Sequence, residues 1–201
     1  FRKEKIIIKV LHRVHDINKL ENLPGNIGVE VDIHALGSKL IVVHDAFKDG
    51  LDFEKWLISC GNRFVIFNVK EEGIENKLLN YVNKFKIQNY FLLDLSFPSI
   101  MKLTQNNQKN IAVRVSEFEP IDGAIRMKEN VKWIWLDCFK GFPLSKEEVI
   151  KVNEVNLKIC LVSPELHGYP RSKKDIFLFQ KKIEEFGLNI DAVCTKFPEL
   201  W

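Results

Sequence analysis

The chain has 201 residues, 46% of them hydrophobic and 28% charged, with a formal net charge of +3. This composition excludes a disordered or fibrous chain and supplies a sizeable core for a single domain spanning 1–201. Its lysines are interleaved with acids instead of forming a basic stripe, which argues against nucleic acid as a partner, and no apolar run reaches membrane-spanning length.

Runs rich in β-branched and aliphatic residues predict strands near 5–11, 28–34, 64–69, 89–95, 110–115, 132–137, 158–163 and 190–195. A further hairpin strand is expected at 39–43, after the Gly37-Ser38 turn. The basic-then-apolar opening FRKEKIIIKV is too short in its apolar part for a secretory leader and reads as the first strand. Helical segments fall between the strands at 51–60, 73–86, 97–107, 119–129, 145–155 and 172–186. Ser145 with Glu148 is a capping-box signature, and Gly187 after KKIEEF is a helix stop. Eight strands alternating with crossover helices predict an α/β chain, a compact (β/α)8 TIM barrel. A doubly wound open sheet would call for a glycine-rich phosphate loop, which the sequence lacks. Cys60, Cys138, Cys160 and Cys194 stand alone in apolar contexts and read as reduced core thiols, which predicts a cytoplasmic setting.

Costly polar residues end these strands. His12, Arg13, Glu30, Asp32, His44, Asn68, Lys70, Asp94, Ser96, Arg114, Asp137 and Glu165 all fall at or near strand ends, and a barrel gathers such ends around one mouth. Strand alternation places Glu30, Asp32 and His34 on one face and Val29, Val31 and Ile33 on the other. Two neighbouring inward carboxylates repel, so a positive group must lie beside them: a divalent metal, His12, His44, Arg13 or Lys70.

His12-Arg13 after strand one, Glu30-Val-Asp32 on strand two and His44-Asp45 shortly after form a pattern that resembles the glycerophosphodiester phosphodiesterase family. FNVK at 67–70 occupies the place of that family's Glu-x-Lys, Ser96-Phe97 matches a Ser-Phe after strand four, and CTKFPEL at 194–200 is similar to a closing Thr-Asp-x-Pro segment. The resemblance implies a metal-dependent phosphodiesterase acting on a small-molecule phosphodiester, on a barrel related to phosphatidylinositol-specific phospholipase C. It implies His12 and His44 as general acid and base, Arg13 as a phosphate ligand, and Glu30 and Asp32 as holders of Mg²⁺ or Ca²⁺. The attacking group would be a neighbouring glycerol hydroxyl, giving a cyclic phosphate that water then opens.

The chain departs from that pattern in four places. Asn68 stands where the family has a third carboxylate, although an amide oxygen can still coordinate such ions, and Glu165 or Asp94 could supply the missing charge. Val14 replaces the glycine after His-Arg, and Lys196 replaces the closing Asp. The stretch of about twenty residues between His44 and strand three leaves no room for an inserted subdomain.

Other readings of the same residues remain open. Glu30 and Asp32 could form a structural ion network with Lys70 or Arg114. Lys70, expected with Arg13 and Trp135 to bind substrate, could instead be a Schiff-base nucleophile. Trp135, with Trp133 and Asp137, could wall a pocket or pack in the core. His15, His34 and His167 read as loop or core residues, or as supports behind the site. The whole could also be a barrel that binds a sugar phosphate or phosphodiester without turnover.

Overall fold

A computed structural model describes residues 6–167 and 172–201. Lys5, the first residue of the expected first strand, and Gly168 of the SPELHG segment lie outside the described residues. The elements in chain order are β1 (Ile8–Leu11), α1 (Ile17–Glu21), β2 (Gly28–Leu36), β3 (Lys39–Val42), β4 (Leu51–Asp52), α2 (Phe53–Cys60), β5 (Val65–Val69), α3 (Glu75–Lys84), β6 (Tyr90–Leu93) and α4 (Phe97–Gln105). They continue with β7 (Ala112–Val115), α5 (Ile121–Arg126), β8 (Trp133–Leu136), α6 (Lys146–Glu154), β9 (Lys158–Val162), α7 (Lys173–Phe186) and β10 (Ala192–Thr195). This is the α/β class and the strand–helix order of a (β/α)8 TIM barrel, with the expected β3 hairpin inserted after β2 and one short strand, β4, added to it.

The chain packs as two compact units, 10–108 and the remaining residues, 1–9 with 109–201. In the first, β2 is central. It runs parallel to β1, with Val10 opposite Gly28, and parallel to β5 from Val29↔Val65 to Ile33↔Val69. Beyond Ile33 it turns antiparallel to β3, through the left-handed Gly37. Gly28 is required where β2 starts, because a Cβ there would lie 2.9 Å from the Phe64 carbonyl oxygen. Helix α2 begins at Asp52, whose side chain accepts from the Lys55 amide, and it buries Phe53, Trp56, Leu57 and Cys60 along one face. Phe53 meets Phe67 of β5 edge-on at 5.9 Å, and both are fully buried. Each such side chain contributes about 1.5–3 kcal/mol through burial alone.

In the second unit, β7, β8, β9 and β10 form a parallel sheet, with Val113 opposite Ile134 and Ile134 opposite Ile159. Ser145 and Glu148 close the expected capping box on α6. Helix α7 has its own box, Ser172 with Asp175, and stops at the left-handed Gly187, as the sequence predicts. Of the FLF triplet only Phe179 is buried, and it packs on Phe142. No helix among the described residues is long and apolar enough to cross a membrane.

Candidate active site

The polar groups of the 10–108 unit gather on β2. Arg13 follows β1 in a left-handed backbone conformation that is uncommon for a side chain of its size, and three bonds hold the turn in place. Its amide donates to Glu30 Oε2 at 2.8 Å, the Val14 amide donates to the Glu30 carbonyl at 2.9 Å, and the buried Trp56 indole donates to the Val14 carbonyl at 2.8 Å. Stapled to β2 in this way, the turn presents His12, Arg13 and His15 to the acids.

Glu30 and Asp32 are both buried. Glu30 Oε1 accepts from Asn68 Nδ2 at 3.1 Å, and His12 Nε2 lies 3.8 Å from Oε2. Burial, followed by the negative charge of Asp32, pushes the Glu30 carboxyl up to about 7, against hydrogen bonds from Arg13 and Asn68 and the nearby Lys70 charge. Asp32 behaves in the opposite sense. Burial opposes its ionisation, but His15 and Lys70 outweigh burial and hold the carboxyl below its ordinary 3.8. His15 Nε2 is 2.9 Å from Oδ2, Lys70 Nζ is 3.1 Å from Oδ1, and Arg13 Nε is 3.8 Å from Oδ2. Lys70 also reaches Asp94 Oδ2 at 3.7 Å. Lys70 Nζ, at 3.1 Å, is the positive group that meets Asp32 Oδ1.

His12, Arg13, Glu30, Asp32, Asn68 and Lys70 are therefore brought together. His44 is held nearby through the backbone: the Val43 amide donates to the Asp32 carbonyl at 3.3 Å, and His34 Nε2 is 3.3 Å from the His44 carbonyl. The His44 ring is 41% exposed and pairs through Nδ1 with Asp45 at 2.8 Å. Asp45, engaged by Lys48 and His44, is lowered to about 2. Beside Lys70 opens a cavity of about 110 Å³ whose walls include Glu71, Glu72, Asp94 and Ser96.

Two histidines that sequence reasoning left in supporting positions touch the site directly. His15 is the nearest imidazole to Asp32. The signal for it was a second histidine three residues after His12, hidden because the spacing fits neither a strand nor a long helix. His34 is buried and bridges Glu71, 2.9 Å from its Nδ1, to the His44 carbonyl.

The remaining expected residues lie in the other unit. Arg114 pairs with the buried Asp137, and His167 Nε2 lies 2.9 Å from Asp137 Oδ1. Trp135 is buried on β8, in register with Arg114. Glu165, expected as a metal ligand, accepts from Ser163 Oγ, from Thr195 Oγ1 at 2.6 Å and from the Lys196 amide at 2.9 Å. It staples the closing segment to β9 and β10.

A divalent cation does not fit the donor set around Glu30 and Asp32. Glu30 accepts a protein N–H on each oxygen, and each oxygen of Asp32 faces a nitrogen of Lys70 or His15. The Asn68 amide turns its NH₂ toward Glu30, leaving Asn68 Oδ1 as one buried oxygen without a hydrogen bond. Ca²⁺ takes about six to eight oxygen ligands, and Mg²⁺ about six including several waters, each held by carboxylate oxygens that are not engaged by N–H donors or an ammonium. Among the described residues, no group of three or more His, Cys, Asp or Glu side chains is arranged to hold a metal ion.

No protein-family model and no curated protein matches the sequence. Solved structures do. A candidate glycerophosphoryl diester phosphodiesterase from Agrobacterium tumefaciens matches with a TM-score of 0.66 at 11% identity, covering 97% of this chain and 95% of that one. A glycerophosphoryl diester phosphodiesterase from Parabacteroides distasonis matches with a TM-score of 0.65 at 11% identity, covering 100% and 86%. A glycerophosphodiester phosphodiesterase from Agrobacterium tumefaciens matches with a TM-score of 0.57 at 12% identity, covering 96% and 99%. The chain shares, over nearly its whole length, the fold of these phosphodiesterases.

Proposed function

We propose that the protein hydrolyses small phosphodiesters of the glycerophosphodiester type. The observation that carries this reading is the gathering of His12, Arg13 and Lys70, just past the ends of β1 and β5, on the buried Glu30–Asp32 pair of β2. Arg13 and Lys70 supply the positive charge that a phosphodiester monoanion requires, and the buried acids fix where those cations sit. The Nδ1–H of His44, given to the ionised Asp45, leaves Nε2 as the basic nitrogen that takes the proton of an attacking vicinal hydroxyl. His12, beside Glu30, gives a proton to the departing alkoxide. The hydroxyl oxygen forms a P–O bond as the ester P–O bond breaks, leaving a cyclic phosphate. Water opens that ring with the two imidazoles exchanging roles.

The test is release of alcohol from a panel of glycerophosphodiesters by the wild-type chain and by His12→Ala and Arg13→Ala. Each substitution is expected to lower turnover by about 10²- to 10⁴-fold. Unchanged turnover in both would remove the proposed roles. The contact of Lys70 with two carboxylates suits an ammonium, not the neutral amine that Schiff-base chemistry requires.

A further inference from the structure

We infer that Lys70 occupies the place of a resident metal ion, so that the site works on phosphodiesters without a divalent cation. This inference rests on the phosphodiester reading above and concerns what neutralises the phosphate.

Three independent features of the 10–108 unit point the same way. The first is valence. Two buried carboxylates need compensating charge, and Asp32 already has it in Lys70 Nζ at 3.1 Å on one oxygen and Arg13 Nε at 3.8 Å from the other, where His15 Nε2 also lies at 2.9 Å. The second is orientation. The Asn68 amide hydrogen-bonds Glu30 through its nitrogen, which turns a potential oxygen ligand into a donor. Asp32 and Asn68 are register partners on β2 and β5, so a carboxylate at 68 would face Asp32 directly, and an amide there removes that demand for a cation. The third is reach. Lys70 extends from Asp32 toward Asp94, so its ammonium lies between the buried acid and the cavity that Asp94 and Ser96 line. An ammonium held between two carboxylates is a fixed positive point for a non-bridging phosphate oxygen, and the half-exposed Arg13 guanidinium is a second. Together they stabilise the charge that accumulates on phosphorus oxygens during displacement.

The experiment has an arm that does not depend on turnover. Electron paramagnetic resonance of free Mn²⁺ is recorded with the wild-type chain, with Asn68→Glu and with the double variant Asn68→Glu/Lys70→Met, each confirmed folded by circular dichroism. The wild-type chain should leave the Mn²⁺ signal undiminished, whereas the double variant should bind Mn²⁺ and quench it. Stoichiometric Mn²⁺ binding by the wild-type chain overturns the inference, as does a folded double variant that still binds none. In the second arm, glycerophosphodiester turnover is measured in EDTA and then with Mg²⁺, Ca²⁺ or Mn²⁺ added. Equal rates are expected, with an about 100-fold loss in Lys70→Met. Turnover abolished by EDTA and restored by an ion sinks the inference while leaving the phosphodiesterase reading intact. No turnover under any condition sinks that reading instead, and the Mn²⁺ arm still decides the role of Lys70.

Discussion

Replacing Glu30 with Gln separates the electrostatic cost of this site from its packing. Glu30 is buried beside Asp32, and its carboxyl is raised from 4.5 to about 7. The folded chain therefore holds a proton that the unfolded chain releases, so the related stability is fully present below pH 4.5 and is lost as pH rises through about 7. At about 1.36 kcal/mol per pH unit, that interval costs the native state about 3 kcal/mol by pH 8. Asp32 does not blur the window, because its lowered carboxyl stays ionised in both states throughout. Glutamine also misplaces one NH₂ against the donors Arg13 N and Asn68 Nδ2, at a cost of about 1–3 kcal/mol. That penalty is independent of pH and cancels when each protein is compared with itself. Urea unfolding at pH 5 and pH 8, in EDTA, should show the wild-type chain losing about 2–3 kcal/mol more than Glu30→Gln between the two conditions. Identical pH dependence in the two proteins would mean that Glu30 is already ionised or solvated in the folded state, and the electrostatic account of the site would fail.

Trp56→Phe should cost about 1–3 kcal/mol by stranding the buried Val14 carbonyl, and because it loosens the His12–His15 turn, turnover should fall along with the thermal midpoint. In Gly50→Ala the new Cβ would lie 2.6 Å from the Val42 carbonyl oxygen, so β3 and β4 must separate ahead of His44. A thermal scan should show a loss of about 1–3 kcal/mol, and an unchanged midpoint would contradict the close approach. Burial of Glu117 opposes its charge, but the Gly141, Lys140 and Phe139 amides that donate to it prevail and lower its carboxyl below 4.5. Its contribution is present above pH 4.5 and fades as pH falls, so Glu117→Gln should be destabilised at pH 6, and its deficit against the wild-type chain should shrink as acid denaturation is followed below pH 4.5.

The central strands were readable because β2, β5, β6 and β9 are runs of largely β-branched, aliphatic and aromatic side chains buried on both faces. IGVEVDI, FVIFNV and LIVV gave β2, β5 and β3 to within a few residues. Short elements escaped. Helix α1 spans only five residues between Asp16, whose side chain caps the Lys19 amide, and Asn22, too few to show a 3.6-residue period. The two-residue β4 has no period at all and exists through its pairing with β3. Helix α5 is shorter than 119–129 because it starts only after Pro120 and its last turn closes at Met127. At the site, Glu30, Asp32 and His34 were legible as one face from alternation alone. The partner of each acid was not, since strand pairing brings Asn68 to Glu30 and the turn after β1 brings His15 to Asp32, contacts between residues 38 and 17 apart in sequence. Lys70 on Asp32 was one of the pairings left open, whereas Arg114, the other cation offered to the acids, pairs with Asp137.

Asn68 therefore carries consequences out of proportion to one side chain. With a carboxylate at 68, β2 and β5 would hold three acids within two register steps, and Lys70 could not compensate them once buried. Such a site would stay charged only around a divalent ion or would take up protons. With the amide, the acids are two, one of them already drawn toward its neutral form, and the cations of the chain suffice. With the amide at 68, Lys70 stays anchored between Asp32 and Asp94. Charge balance across two adjacent strands, set by residue 68, thus decides how the stability of the fold depends on pH and which positive groups the buried acids hold.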